Sequence, residues 1–342
     1  MMAKKPLFIS LCFTFIFASF LWGCTPISPP AQSAVPPVTI EPTDLPILDS
    51  SPIPSATLIS RPMPTPIEIM DGLNRIVTLD LPAQRIVSMA PSNTEILFAI
   101  GAGDQVVGRD EFSDFPAETS SIPSVGGGFG DYNNEAIINL QPDLVIAAEI
   151  NTAEQVKVLD DLGITVFYLS NSNSIDEMYA NLLTIARLTG HAAETSSLIE
   201  SLKARVSAIE EKLGEVPDRP KVFYELDATD PNAPYTAGAG TFIDTLITKA
   251  GGENIASDLG SEYPSISAEE LLLRNPEIIL LGDAAYGITP DLVSARPGWE
   301  AIDAVMKQRI YAFDDNLVSR PGPRLVDGLE ALAILLHPEL FQ

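Results

Sequence analysis

Two glutamates stand at the same distance ahead of a proline. Glu135 precedes Pro142 by seven residues in "EAIINLQPDLVIA", and Glu269 precedes Pro276 by seven in "EELLLRNPEIILL". In each, a short apolar helix-like run follows the acid and the proline opens an apolar strand, so both acids fall at one structural place. A second group is cationic. Arg320 and Arg324 flank the rigid Pro321-Gly322-Pro323 turn in "SRPGPRLVDGLEALAILLHPELF", just before a helical pattern. Two fixed guanidiniums there could hold ligand carboxylates, phosphate or amide oxygens, or could pair with nearby Asp327 or with helix-end groups. A third group is aromatic: Phe112, Phe115, Phe129 and Tyr132 early, and Tyr235, Tyr263 and Tyr286 late. Flat faces opposed across a cleft suit a large, partly apolar ring ligand, although burial within its own lobe would explain any one of them equally well.

Other chemistries lack their residues. There is no GxSxG, no HExxH and no cysteine placed to be a nucleophile, so no catalytic residue is assigned. The two histidines, His191 and His337, are too few for a soft-metal site and read as structural, and no metal or resident cofactor is expected. "VGGGFGD" and "TAGAGTFID" match neither GxGxxG nor GxxxxGK[ST], so they read as turns or as backbone approaching a large ligand. A formal charge of −26 argues against nucleic acid, whose binding relies on Lys and Arg releasing counterions. An acidic surface also stands off from anionic lipid, so any membrane attachment must come from an anchor.

The elements that must position these groups alternate. "RIVSM", "PDLVIAA" and "TVFYL" read as buried strands of a first set, and "KVFYEL", "PEIILLG" and "IYAFD" as a second, with helical patterns between them. That is α/β with a mostly parallel sheet. Residues 192–213 contain no Gly or Pro and place Leu198, Leu202, Val206, Ile209 and Leu213 on one face. At 1.5 Å per residue this helix would span roughly 33 Å, enough to join two lobes. A further repeat sets "EILFAIGAGDQV" against "DTLITKAGGENI", with Gly103 on Gly252 and Asp104 on Glu253. In "PSNTEILFAIG", Ser92 and Glu95 have capping-box spacing and Gly101 can end the helix left-handed.

The chain starts with Lys4 and Lys5 before the apolar run of residues 7–22, which reads as an export signal too short to be a membrane span. It ends in "LWGC", similar to a bacterial lipobox, with Cys24 as the lipidated residue. A processed chain keeps Cys24 as its single cysteine and must rely on its core rather than on a disulfide. Twelve prolines between Thr25 and Pro66 read as an extended tether. The expected layout is a signal at 1–23, a linker at 24–66, an N-terminal lobe at 67–190, a connecting helix at 191–214 and a C-terminal lobe at 215–342.

Taken in order, "RIVSMAPSNTEILFAIGAGDQVVG", "FSDFP", "EAIINLQPDLVIA", "GTFIDTLITKAGGENI", "SAEELLLRNPEIIL" and "RPGPRLVDGLEALAILLHPELF" resemble the cobalamin- and ferric-siderophore-binding proteins of ABC importers. The resemblance implies two Rossmann-like α/β lobes joined by one long helix, with the ligand in the cleft between them. It implies a monomeric, extracytoplasmic, lipid-anchored protein that is not an enzyme and that delivers a small-molecule chelate to a membrane permease. In such proteins a glutamate at the tip of each lobe docks on permease arginines, and Glu135 and Glu269 match those positions. Ligand contacts are expected from Phe112, Phe115, Phe129, Tyr132, Tyr235, Tyr263, Arg320 and Arg324. "APSNTEILFAIG" and "FSDFP" look closest to the corrinoid branch. A ferric-siderophore or haem binder is the alternative, and an extracytoplasmic α/β enzyme is a more distant one. The absence of tryptophan in the early loops departs from the family pattern, and Trp299 in "RPGWEAI" reads as a packing residue.

Overall fold

Asp71 opens the folded region by holding a turn: its Oδ1 accepts from the Leu73 and Arg75 amides at 3.0 and 2.9 Å, with Asn74 left-handed at φ 61°. The turn joins β1 (Ile67–Met70) to β2 (Ile76–Leu79) as an antiparallel hairpin, which the sequence reading did not foresee. The structure is a computed structural model and describes residues 65–128, 130–214, 216 and 218–341. The expected signal, most of the expected linker with Cys24, and Phe129 lie outside the described residues.

The first lobe runs β3 (Ile86–Ser88), α1 (Pro91–Ala99), β4 (Val106–Arg109), α2 (Asn134–Asn139), β5 (Leu144–Ala148), α3 (Ala153–Asp161), β6 (Val166–Leu169) and α4 (Ile175–Thr189). Its four parallel strands stand in the order β4-β3-β5-β6. All five residues of β5, "LVIAA", are buried, as expected of a parallel strand covered by helices on both faces. Helix α5 (Ala192–Leu213) follows, with His191 and Gly214 at its ends. The second lobe runs β7 (Lys221–Asp227), β8 (Tyr235–Thr236), α6 (Phe242–Lys249), β9 (Glu253–Asn254), α7 (Ala268–Arg274), β10 (Ile278–Leu281), α8 (Pro290–Ser294), α9 (Asp303–Met306), β11 (Ile310–Ala312), α10 (Asn316–Ser319) and α11 (Leu325–Leu336). Here the order is β11-β10-β7-β8, β9 runs parallel to β7, and β8 alone is antiparallel.

Helix α5 supplies Ile199, Leu202, Val206, Ile209 and Leu213 to one apolar cluster that also contains Ile86 and Ile146 of the first sheet and Val222 and Leu280 of the second. Burial of these side chains, at roughly 25 cal/mol per Å² of apolar surface, ties both lobes to one spine. Each sheet buries its other face against its own helices. Trp299 is 1% exposed and meets Phe223 edge-on at 6.3 Å, so it packs, as read from the sequence.

The internal repeat has a backbone counterpart. Gln141 and Asn275 are both left-handed, at φ 48° and 46°, each directly before its proline. Asp143 then accepts from the Gln84 and Arg85 amides at 2.7 and 3.0 Å, and Glu277 accepts from the Lys221 amide at 3.0 Å. In both lobes, therefore, a carboxylate clips the start of one strand to its neighbour. The second repeat needs a one-residue correction. Gly101 and Gly251, at φ 89° and 83°, end their helices with the same two bonds: Gly101 N to Phe98 O with Ala102 N to Leu97 O, and Gly251 N to Thr248 O with Gly252 N to Ile247 O. The left-handed residue of this closing motif sets the register, so Gly101 falls on Gly251, and Ala102 rather than Gly103 falls on Gly252.

Candidate functional site

Parallel strands place the loops that follow them along one edge, and an open α/β sheet binds its ligand there. Both sheets direct that edge to one cleft of about 560 Å³. From the first lobe come Ser92 after β3, Glu111, Phe112 and Asp114 after β4, Ile150 after β5 and Asn171 after β6. From the second come Ala285 and Tyr286 after β10, then Phe313, Asp314, Asp315 and Arg320 after β11. Phe112 and Ile150 on one wall, with Tyr286 and Phe313 on the other, provide apolar surface. Glu111, Asp114, Asp314 and Asp315 make the cleft acidic, and Arg320 is the one cationic side chain among the described lining residues.

Both arginines are engaged within the protein. Glu95 of α1, with a side chain 1% exposed, accepts from Arg324 Nε at 2.8 Å and Nη2 at 2.6 Å, and from Arg320 Nη1 at 3.0 Å. Arg320 also reaches Asp114 Oδ1 at 2.7 Å and the Phe112 carbonyl at 3.4 Å. Arg324 lies over the Phe115 ring at 4.1 Å. Of the two roles left open for these cations, the structure shows ion pairing, but across the lobes to Glu95; Asp327 pairs instead with Arg205 of α5 at 2.6 Å. The capping box is likewise corrected. Ala90 precedes α1 and makes no side-chain cap bond, while Pro91 opens the helix, so Glu95 is free to point at the arginines.

The loop after β4 is held from below. Asp110, 1% exposed, accepts from the Phe112 amide at 2.8 Å and from the Ser113 hydroxyl. Ser113 meets Thr94 at 2.7 Å, and Thr94 donates to Ser88 at 2.8 Å. Burial raises the Asp110 carboxyl above its ordinary value, with the Ser113 bond opposing. This buried chain sets where Phe112, Asp114 and Phe115 stand.

Of the expected ligand residues, Phe112 and Arg320 line the cleft. Phe115 and Arg324 stack on each other beside it. Tyr132 lies behind the wall: its hydroxyl donates to the Met89 carbonyl at 2.7 Å and accepts from Asn151 at 2.9 Å, and burial pushes its pKa up to about 12. Tyr235 and Tyr263 are exposed and do not line the cleft, but Tyr263 comes close enough to Asp315 of the lining and Glu149 of the first lobe for their charges, after burial, to raise its pKa. Asp110 and the Asp314-Asp315 pair were not singled out from the sequence, and Glu95 was read only as half of a capping box. The Asp314-Asp315 pair had a signal, its place just after "IYAF" at a strand end; nothing in the sequence marked Glu95 as the partner of the arginines. Glu135 and Glu269 are both exposed and both occupy the second position of a helix, capped by Asn133 and Ser267 respectively. Neither histidine lines the cleft: His337 is buried with Nε2 3.2 Å from the Gly251 carbonyl.

The family described as periplasmic binding protein matches residues 86–317. An uncharacterized ABC transporter substrate-binding lipoprotein, YvrC of Bacillus subtilis, is 34% identical over 81% of this chain and 87% of its own. A cobalamin-binding protein of Halobacterium salinarum is 32% identical over 80% of this chain and 74% of its own. The structure of the periplasmic heme-binding protein RhuT from Roseiflexus sp. RS-1 superposes with a TM-score of 0.68 at 28% identity, covering 75% of this chain and 99% of that one. With two parallel-sheet lobes on one helical spine and a cleft at their shared strand ends, the chain belongs to the periplasmic binding protein family, the extracytoplasmic substrate-binding components of ABC importers, which are not enzymes.

Proposed function

We propose that this protein captures a corrinoid and presents it to its permease. The observation that carries the reading is the charge of the cleft. Its walls are aromatic and acidic, and the two arginines that could have held an anionic chelate are already satisfied by Glu95. A corrinoid rim offers amides that can donate to Glu111, Asp314 and Asp315, and its ring can lie between Phe112 and Tyr286. The cobalamin-binding relative from Halobacterium supports the same reading. Haem or a ferric siderophore is the second reading, favoured by the likeness to the heme-binding Roseiflexus protein and by exposed Tyr286, a candidate ligand for iron. In this proposal Glu135 and Glu269 dock on permease arginines, and lipid on Cys24 holds the protein, as a monomer, at the outer face of the cell membrane.

Titrating the full-length chain in detergent with cyanocobalamin, cobinamide, haem and ferric siderophores, followed by calorimetry, tests the ligand. Saturable binding of a corrinoid, and none of haem or siderophore, is expected. Binding confined to an iron chelate would move the protein to the second reading.

A further inference from the structure

Arg320 and Arg324 bracket a rigid turn at the rim of the cleft, a placement that would ordinarily make an anion receptor, since guanidiniums grip carboxylates and phosphates through paired bonds. Glu95 fills that receptor from the opposite lobe. Both of its oxygens are engaged, at 2.6 to 3.0 Å, and its side chain is 1% exposed, so solvent does not weaken the grip. With Asp114 at 2.7 Å from Arg320, two cations meet two carboxylates and the cluster carries no net charge. What a ligand then faces is the remaining acid of the lining, Glu111, Asp314 and Asp315.

We propose that Glu95 is a specificity-determining residue: it occupies the place a ligand carboxylate or phosphate would take on Arg320 and Arg324, and so restricts the cleft to neutral or cationic chelates. The inference rests on the cleft being the ligand site and deepens that reading by excluding a class of cargo. An anionic chelate must either displace a buried carboxylate held by three bonds or settle against a negative wall. Neutralising Glu95 removes the internal anion and leaves guanidinium charge for a ligand to meet.

Ferric citrate serves as the anionic probe and cyanocobalamin as the neutral one, both titrated into the full-length chain in detergent. Glu95→Gln is expected to bind ferric citrate roughly tenfold or more tighter than the unaltered protein. The gain should fade as salt rises toward about 0.5 M and vanish when Arg320→Gln and Arg324→Gln are added, which a general loosening of the lobes would not produce. Ferric citrate affinity equal in the unaltered protein and a folded Glu95→Gln variant overturns the proposal. Should Glu95→Gln not fold, exposed Asp114→Asn decides. Freeing one edge of Arg320, it should raise ferric citrate affinity by about threefold more than Glu111→Gln, which removes a cleft carboxylate that touches neither arginine. Equal effects of those two variants overturn the proposal as well. If cyanocobalamin fails to bind while the Glu95→Gln gain is present, the corrinoid reading falls and the role of Glu95 stands.

Discussion

A buried carboxylate is costly unless its partners are in place, and this chain keeps several near its cleft. Glu95 is satisfied by two arginines, and Glu225 by Arg296, which donates to its Oε1 at 2.8 Å and lies over Trp299. Asp283, 4% exposed, has less: its Oδ1 has no hydrogen-bond partner. Burial, with the charge of Glu225 adding and Arg296 opposing, raises its pKa to about 6. The folded state therefore holds this proton after the unfolded chain has released it. Stability from this residue is highest below about pH 4 and is lost as pH rises toward 6. Asp283→Asn should accordingly stabilise the protein at pH 7.5 by about 1–3 kcal/mol, with the gain shrinking toward pH 4. Urea unfolding of both forms across that range measures it, and a gain independent of pH would contradict the assignment.

At the scale of elements, one unit is used twice: a capped short helix, a left-handed residue, a proline and a strand whose first carboxylate clips its neighbour. Glu135 and Glu269 ride on that unit at its second helical position, where the helix dipole favours an acid. An exposed ion pair contributes only about 0–1 kcal/mol, so the two acids would set orientation and encounter more than affinity. Replacing both with Gln should abolish transport in cells while leaving ligand binding by the purified protein unchanged. Undiminished uptake by the double variant would sink the docking role.

For the whole molecule, the continuous apolar cluster along α5 couples the lobes. Leu202, 3% exposed, sits within it. Leu202→Ala should cost about 2–5 kcal/mol and lower a single calorimetric transition. Two separate transitions would show that the lobes unfold independently of the spine. A continuous helix also resists bending more than a loop hinge does, so ligand capture should involve only a modest closure.

The two-lobe architecture is legible in the sequence because its signals are local. Apolar runs such as "PDLVIAA" and "PEIILLG" read as buried parallel strands, and 22 residues without Gly or Pro read as one helix. The spacing of Glu135 and Glu269 from their prolines disclosed the repeat, since helix, left-handed turn and strand follow one another directly along the chain. The short strands were less legible: β4 contains Gly108, and β8 and β9 have two residues each, too few for any period. The pairing inside the site comes from packing between distant segments. Glu95 and Arg324 are 229 positions apart, and nothing local marks one acid within an apolar helix as the partner of a distant turn. The same residue types can make an anion receptor or a neutral, filled one. Which of these forms depends on where the two lobes bring α1 and the Pro-Gly-Pro turn together, and that is a property of the packed spine rather than of any motif.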